Sequence, residues 1–377
     1  MADLILPPGT VTWAEIDLAA VAANIRSIRR HVGSQVQVIA VVKANAYGHG
    51  AVQVARAALQ AGASRLAVHR LVEAIELREA GIEAPVLVMG YVPADGASDL
   101  VRYRLSVSLT TLECARAYSG AAVAAGTTLP VHVKVDTGMG RYGLLPEEVL
   151  PFCRTVRGLP GLELEGIFTH FCTADAADKT YMELQFDRFM VVIEACKAEG
   201  INFRLRHCCN SAAVMQFPRA YLDAVRPGIA MYGLQPSSEW ESPFLLQPVM
   251  TLKSRVVRVR EIPAGWGLGY GRTFVPDKPM RVALIPVGYG DGYHRSLSNK
   301  GVVVLHGRRA PVLGRVSMDQ IIVDVTGIPE AGEGDTAILF GTDGKVVLRA
   351  EEVAAIAGTI NYELTTAILP RVARVYH

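Results

Sequence analysis

From Ser34 to about Pro236, short β-branched apolar runs alternate with longer stretches whose apolar residues recur at helical spacing. The strand-like runs are Val38–Val42, Leu66–Val68, Val86–Met89, Leu105–Leu109, Val131–Val135, Leu164–Phe168, Arg204–Cys208 and Asp223–Arg226. Between them lie helix-period stretches at Val52–Ala61, Val72–Ala80, Leu112–Ala125, Pro146–Val156 and Tyr181–Ala198, and shorter links such as Asp95–Val101. Gly or Pro punctuates most junctions, as βα turns require. Eight strands alternating with helices read as a (β/α)8 barrel. A doubly wound open sheet is the rival, but its glycine fingerprint is missing.

After Pro236 the texture changes. Val249–Arg260, Arg281–Val287, Val302–Leu305, Ile321–Val325 and Thr336–Phe340 alternate or run β-branched. Glycine-rich turns at Gly265–Gly271 and Gly288–Gly292 separate some of them, and Glu351–Ala357 is a late helix candidate. The expected organisation is a barrel over residues 1–236 and a mostly-β domain over 237–377. Val11–Ile16 reads as a strand, so residues 1–17 fit either domain.

Composition narrows the class. Half of the residues are hydrophobic and a fifth are charged, which excludes an intrinsically disordered chain. The 38 basic and 36 acidic residues leave a net charge of +2, which calls for neither nucleic acid nor an anionic membrane as partner. No apolar run approaches the ~20 residues that span a bilayer. The six cysteines form no C-x-x-C pair and several sit in apolar stretches, against a disulfide framework. Met1–Pro8 has an acid at Asp3 and no basic leader, so a cytoplasmic enzyme is expected.

In an α/β barrel, reactive residues sit at the C-terminal ends of strands or in the loops just after them. Lys43 ends the first run. A lysine at a barrel rim loses hydration, its pKa falls, and its amine can then form a Schiff base with a carbonyl. A surface lysine is the bland alternative. After the fifth strand, Asp136-Thr137-Gly138-Met139-Gly140-Arg141 offers a flexible backbone and a planar fork for a carboxylate. His170 follows the sixth strand, as a core histidine or as a ring lying against a planar cofactor. Asn210-Ser211 follows the seventh, where Ser is either a helix N-cap or a phosphate ligand. Arg226-Pro227-Gly228-Ile229 ends the eighth, in the region where barrels bind phosphate, with Gly228 and Ile229 placed to supply free N–H groups. A lysine for a carbonyl, a phosphate cradle and a carboxylate fork together describe a site for pyridoxal phosphate and an amino acid. No metal is expected.

These residues carry a resemblance. Val41-Val42-Lys43-Ala44-Asn45-Ala46-Tyr47-Gly48-His49-Gly50 resembles the cofactor-lysine signature of the alanine racemase family, fold-type III pyridoxal-phosphate enzymes. Lys134–Arg141, Asn210-Ser211, Val225–Ile229, Gly269-Tyr270-Gly271, Gly288–Tyr293, Gly314–Gln320 and Ile360–Glu363 match further family motifs in order and approximate spacing. The resemblance covers essentially the whole chain. Ser317 stands where cysteine is frequent, and the neighbourhood of Tyr293 varies in the family.

The resemblance implies that Lys43 holds the cofactor and serves as one of two bases. Tyr270, lent by the second subunit of a homodimer, would be the other. Arg141 and the Met318 backbone would hold the substrate carboxylate. Tyr47, Ser211, Gly228, Ile229 and Tyr362 would surround the phosphate, with Asn210 beside them. His170 would lie against the pyridine ring and Arg226 would meet its nitrogen. Lys134 corresponds to a lysine that some members carry as a carbamate. The implied function is L-/D-alanine racemisation, supplying D-alanine for peptidoglycan precursors. The alternatives are a fold-type III decarboxylase and a non-catalytic, cofactor-binding barrel protein. The Asn361-Tyr362 and Gly269-Tyr270 motifs argue against the first, and the second domain argues against the other.

Overall fold

The computed structural model describes residues 6–342 and 346–377 of the chain. Contacts divide it into two compact units: Val21–Ala46 with Ala51–Gln247, and residues up to Ala20 with Tyr47–Gly50 and Pro248–His377.

The first described strand, β1 (Thr12–Ile16), belongs to the second of these units. The other unit holds β2 (Gln37–Val41), β3 (Arg65–Val68), β4 (Val86–Val88), β5 (Ser106–Leu109), β6 (Leu129–Lys134), β7 (Leu162–Phe168), β8 (Leu205–His207) and β9 (Ala224–Val225). These eight are paired in the order β8-β7-β6-β5-β4-β3-β2-β9, each ladder parallel. They form a nearly closed barrel. Between β8 and β9 the ladder is replaced by two backbone bonds, Asp223 N–H to Arg206 O (3.1 Å) and Arg226 N–H to Cys209 O (2.9 Å). A forked pair from Arg206 to both Asp223 oxygens, at 2.7 and 3.0 Å, reinforces that seam.

Parallel strands covered on both faces need continuous apolar sequence, and Val38, Ile39, Ala40 and Val41 are all buried. The covering helices are amphipathic. Thr180–Ala198 buries Met182, Phe186, Phe189, Ile193 and Cys196, a three-to-four-residue spacing that marks one helical face. The helix Leu18–Val32 was not among the expected elements, although Val21, Ile25, Ile28 and Val32 repeat at that spacing and are buried. Asp17 Oδ1 accepts from Ala20 N–H (2.8 Å) at its start. The link at Asp95–Val101 contains a further short helix, Ala97–Arg102.

In the other unit, β1 joins β10 (Met250–Arg255), β11 (Arg258–Ile262), β12 (Met280–Ile285), β13 (Val302–Leu305), β14 (Arg308–Leu313), β15 (Ile321–Asp324), β16 (Thr336–Thr342), β17 (Val347–Leu348) and β18 (Ala373–Tyr376) in one sheet. The run expected at Val249–Arg260 is two strands. The chain changes neighbours at Val256, whose N–H goes to Asp335 O (2.8 Å), and Val257, whose N–H goes to Leu284 O (3.0 Å). β10 therefore pairs with β1 and β16, and β11 with β12. β14 and β18 were not expected either, since Arg308-Arg309 and Pro311 interrupt the apolar pattern of the former. Gly48, at φ +86°, lies so close to Thr365 that a Cβ would sit 2.1 Å from its carbonyl oxygen. A side chain there is excluded by both space and backbone conformation.

Candidate active site

β2 delivers Lys43 to the barrel rim, and the backbone then turns left-handed. Ala44, Asn45, Ala46 and Tyr47 have φ of 52°, 51°, 53° and 53°. For residues with a Cβ this costs roughly 1–2 kcal/mol each, so local bonds must hold it. Ala44 N–H donates to Glu73 Oε1 (2.6 Å), Ala46 N–H to Val42 O (2.9 Å), and Ala51 N–H to Asn45 Oδ1 (2.8 Å). The other Glu73 oxygen accepts from His69 and Arg70 N–H, both at 2.8 Å. Desolvation lowers the Lys43 pKa, with Arg141 and Arg226 adding to it and Glu73 opposing.

After β6 the backbone wraps around Asp136. One oxygen accepts from the N–H groups of Gly138, Met139 and Gly140 at 2.9, 2.9 and 3.1 Å. The other accepts from Arg141 N–H at 3.0 Å. Burial would raise the Asp136 pKa, but these four bonds outweigh it and hold the carboxyl low. The loop thus fixes the Arg141 backbone and leaves that residue exposed. Lys134 is buried, with Nζ over the rings of Tyr142 (5.2 Å) and Phe168 (5.4 Å). Desolvation, then Arg226 and Arg141, bring its pKa down to about 8.

Arg226 is 3% exposed. Its Nη1 donates to His207 Nδ1 (2.7 Å) and His207 O (2.8 Å). Its Nη2 donates to Thr169 O (2.7 Å) and, more weakly, toward Cys208 O (3.3 Å) and His170 Nδ1 (3.4 Å). Of five N–H groups, the one on Nε has no acceptor among the described residues. Burial pushes the Arg226 pKa down to about 10, which still leaves it charged at neutrality. His170 is half-buried and held neutral by desolvation and the surrounding cations, Arg226 first.

After β8 the helix cap is Asn210, not Ser211: Asn210 Oδ1 accepts from Ala213 N–H (3.1 Å). Ser211 Oγ accepts from the N–H groups of Gly228 (2.8 Å) and Ala230 (3.2 Å). The expectation that Gly228 presents a free N–H is therefore corrected, because its hydrogen is spent on Ser211. A hydroxyl that accepts twice must point its own hydrogen elsewhere, so Ser211 is placed to donate rather than accept. Ile229 N–H, first in a 3-10 turn, has no partner within the turn.

Lys43, Lys134, Arg141, His170, Asn210, Ser211, Arg226, Gly228 and Ile229 thus share the barrel unit, whereas Tyr47, Tyr270, Met318 and Tyr362 belong to the other. There, the Tyr47 and Tyr362 rings lie 6.2 Å apart. Tyr270 opens a short turn between Gly269 and Gly271 and is 72% exposed, beside a hollow lined by Arg315, Ser317 and Gln320. Met318 is exposed; its carbonyl accepts from Gly290 N–H (2.8 Å), and its own N–H has no acceptor among the described residues.

Residues 16–236 match the model of the alanine racemase N-terminal domain, and residues 249–376 that of the alanine racemase C-terminal domain. An alanine racemase of Desulforamulus reducens is 50% identical over 366 residues, covering 97% of this chain and 98% of that protein. One of Desulfovibrio desulfuricans is 47% identical over 364 residues, covering 97% of each. The chain belongs to the alanine racemase family. The solved alanine racemase of Bacillus anthracis with bound L-Ala-P superposes with a TM-score of 0.93 at 38% identity, over 99% of this chain and 96% of that one. That of Clostridium difficile gives 0.95 at 36% identity, over 98% and 97%. The activity is therefore racemisation of alanine, and the decarboxylase and non-catalytic alternatives are set aside.

Four positions around these residues escaped sequence reading: Glu73, which bonds the turn after Lys43, and His207, His132 and Glu165, which are linked in that order beneath Arg226. Glu73 sits where a helix capping box would place an acid, and that was its available signal. The other three lie inside strands, where nothing in the sequence reveals which neighbours they meet. Asp136 was read as part of a turn, and its role as the loop's acceptor emerges only from the geometry. Asp136→Ala should lower stability at neutral pH by about 1–2 kcal/mol, as for loss of a capping acceptor. A carboxyl with a depressed folded pKa stabilises above its unfolded value of about 4 and loses that contribution as pH falls through the folded value. Chemical denaturation from pH 7 to pH 3 should therefore show the gap between variant and parent narrowing in acid. A gap that widens there would contradict the assignment.

Proposed function

We propose that this alanine racemase binds pyridoxal phosphate on Lys43 and works as a homodimer with shared sites. The observation that carries the reading is the donor set in the barrel: a desolvated lysine amine, one Arg226 N–H left over, and a Ser211 hydroxyl turned into a donor. These fit an aldehyde, a ring nitrogen and a phosphate respectively. The cofactor, when bound, withdraws electrons from the α-carbon of the amino acid and makes its hydrogen acidic.

The chain's own residues do the rest. Arg141 and the Met318 N–H hold the substrate carboxylate. Ser211, Ile229, Tyr47 and Tyr362 hold the phosphate, with Gly228 and Asn210 supporting Ser211 and its helix. His170, kept neutral, lies against the pyridine ring. Racemisation needs a proton taken from one face of the α-carbon and another delivered to the opposite face. Lys43 serves one face and Tyr270 the other. Their reference pKa values are about 10.4 and about 10, so each must be lowered to act near neutrality. For Lys43 the lowering is built into the barrel. Arg226 does not readily give up its proton, so it meets the ring nitrogen without protonating it. That restrains charge spread into the ring and hence side reactions such as transamination. Lys134, losing its proton near pH 8, is suited to carry a carbamate beside Arg141. The exposure of Tyr270 and Met318 on a single chain fits residues that complete a partner's site. No helix among the described residues is long and apolar enough to cross a membrane. We place the enzyme in the cytoplasm, supplying D-alanine to peptidoglycan precursors.

Two experiments test this reading. Borohydride reduction followed by peptide mapping should leave the pyridoxyl group on Lys43, and a label on another lysine would overturn the cofactor assignment. Lys43→Ala and Tyr270→Ala should each be nearly inactive. After subunit exchange, about half the dimers are mixed and each has one intact site of two, so roughly a quarter of parental activity should return. No recovery despite demonstrated exchange would mean that each site is built from one chain.

A further inference from the structure

Beneath Arg226, a line of polar side chains crosses the barrel interior. Arg226 Nη1 is 2.7 Å from His207 Nδ1, His207 Nε2 is 2.8 Å from His132 Nδ1, and His132 Nε2 is 3.0 Å from Glu165 Oε2. None of the four residues is more than 3% exposed. Glu165 Oε1 accepts from Arg65 Nη2 (2.7 Å) and Arg204 Nη2 (2.6 Å), and Ser106 Oγ approaches Oε2 at 3.4 Å. Phe168 stacks on His207 at 5.0 Å and 8°, which fixes that ring.

The two ends set the hydrogens along this line in the same sense: a guanidinium has donors and no acceptor, and an ionised carboxylate has acceptors and no donor. His207 Nδ1 must accept from Arg226, so the His207 hydrogen is on Nε2. That hydrogen points at His132 Nδ1, which must accept, so the His132 hydrogen is on Nε2 and goes to the Glu165 carboxylate. Protonating either imidazole would set two donors against each other. Desolvation, with Arg226 and Arg65 nearby, keeps both rings neutral despite the pull of Glu165 on His132. Burial would raise the Glu165 pKa, but its bonds from His132, Arg65 and Arg204 prevail and keep it ionised.

We propose that Glu165 is a positioning residue for Arg226: acting through His132, its carboxylate selects the His207 tautomer that accepts from Arg226, and so holds the Arg226 Nε–H in place for the cofactor ring. The tautomer lock is a property of the chain, and only its effect on the cofactor rests on the function proposed above. Glu165→Gln should reverse the line. Arg65 and Arg204 demand the amide oxygen, which leaves the amide N–H facing His132 Nε2. His132 must then accept there and carry its hydrogen on Nδ1, and His207 in turn carries its own on Nδ1, against Arg226. His132→Gln, by contrast, can accept from His207 and donate to Glu165, preserving the direction.

The test is nitrogen NMR of the histidine-labelled holoenzyme together with its visible spectrum. The parent should show both rings neutral with hydrogen on Nε2 from pH 6 to pH 9. Glu165→Gln should move the His207 hydrogen to Nδ1, shift the cofactor absorption band and lower kcat at least tenfold. His132→Gln should keep the parental tautomer and band. Should Glu165→Gln fail to fold, the parent spectrum and the tautomer and band of His132→Gln decide. A charged or Nδ1-protonated His207 in the parent, an unchanged tautomer and band in Glu165→Gln, or a switched His207 tautomer in His132→Gln would overturn the proposal. A tautomer switch with an unmoved band would uphold the lock and refute contact between Arg226 and the cofactor ring.

Discussion

A guanidinium buried without a carboxylate beside it governs this barrel. An isolated buried charge is costly unless its hydrogen bonds are met. Among the described residues Arg226 has no acidic partner, and its terminal nitrogens are met instead by carbonyls and an imidazole from the ends of β7 and β8. The same residue sits at the end of β9 and closes the seam to Cys209 through its backbone. One side chain therefore ties together the last three strands, meets the histidine pair beneath it, and keeps its Nε–H without an acceptor among the described residues.

The surrounding charge follows the same logic. Lys43, Lys134, Arg141 and Arg226 converge electrostatically, each cation lowering the pKa of at least one neighbour. The acids close to them are otherwise engaged: Asp136 with four loop N–H groups, and Glu73 with the turn after Lys43. The cations are thus only partly compensated, which suits the site to anions, as the proposed phosphate and carboxylate require. Burial supplies the second half of the design, since by lowering the lysine pKa it leaves more of the amine unprotonated near neutrality.

Much of this was legible before any coordinates. The eight barrel strands announced themselves as β-branched runs because strands covered on both faces cannot alternate. Lys43, Arg141, His170, Ser211 and Arg226 stood out because they fall at strand ends, where barrels place chemistry. What escaped reading depends on pairing. Leu162-Glu163-Leu164-Glu165 looks like a strand edge with two solvated acids, yet Glu165 is 2% exposed and is met by Arg65 from β3 across the barrel and by Arg204, just ahead of the neighbouring β8. The left-handed turn at Ala44–Tyr47 contains no glycine, so nothing in its composition marked the strain that Glu73 helps to hold. The break between β10 and β11 likewise lies in a continuous strand-like run with no Gly or Pro to mark it, because it is a change of neighbours rather than of residue type.

In the proposed mechanism one base serves each face of the α-carbon, and α-hydrogen exchange distinguishes this from a single base. With Tyr270→Phe in deuterated water, followed separately from L- and D-alanine, only the enantiomer whose α-hydrogen faces Lys43 should exchange it for deuterium. That exchange should proceed without appreciable racemisation. Equal exchange from both enantiomers, or racemisation keeping pace with it, would show that one group reaches both faces and would contradict the account.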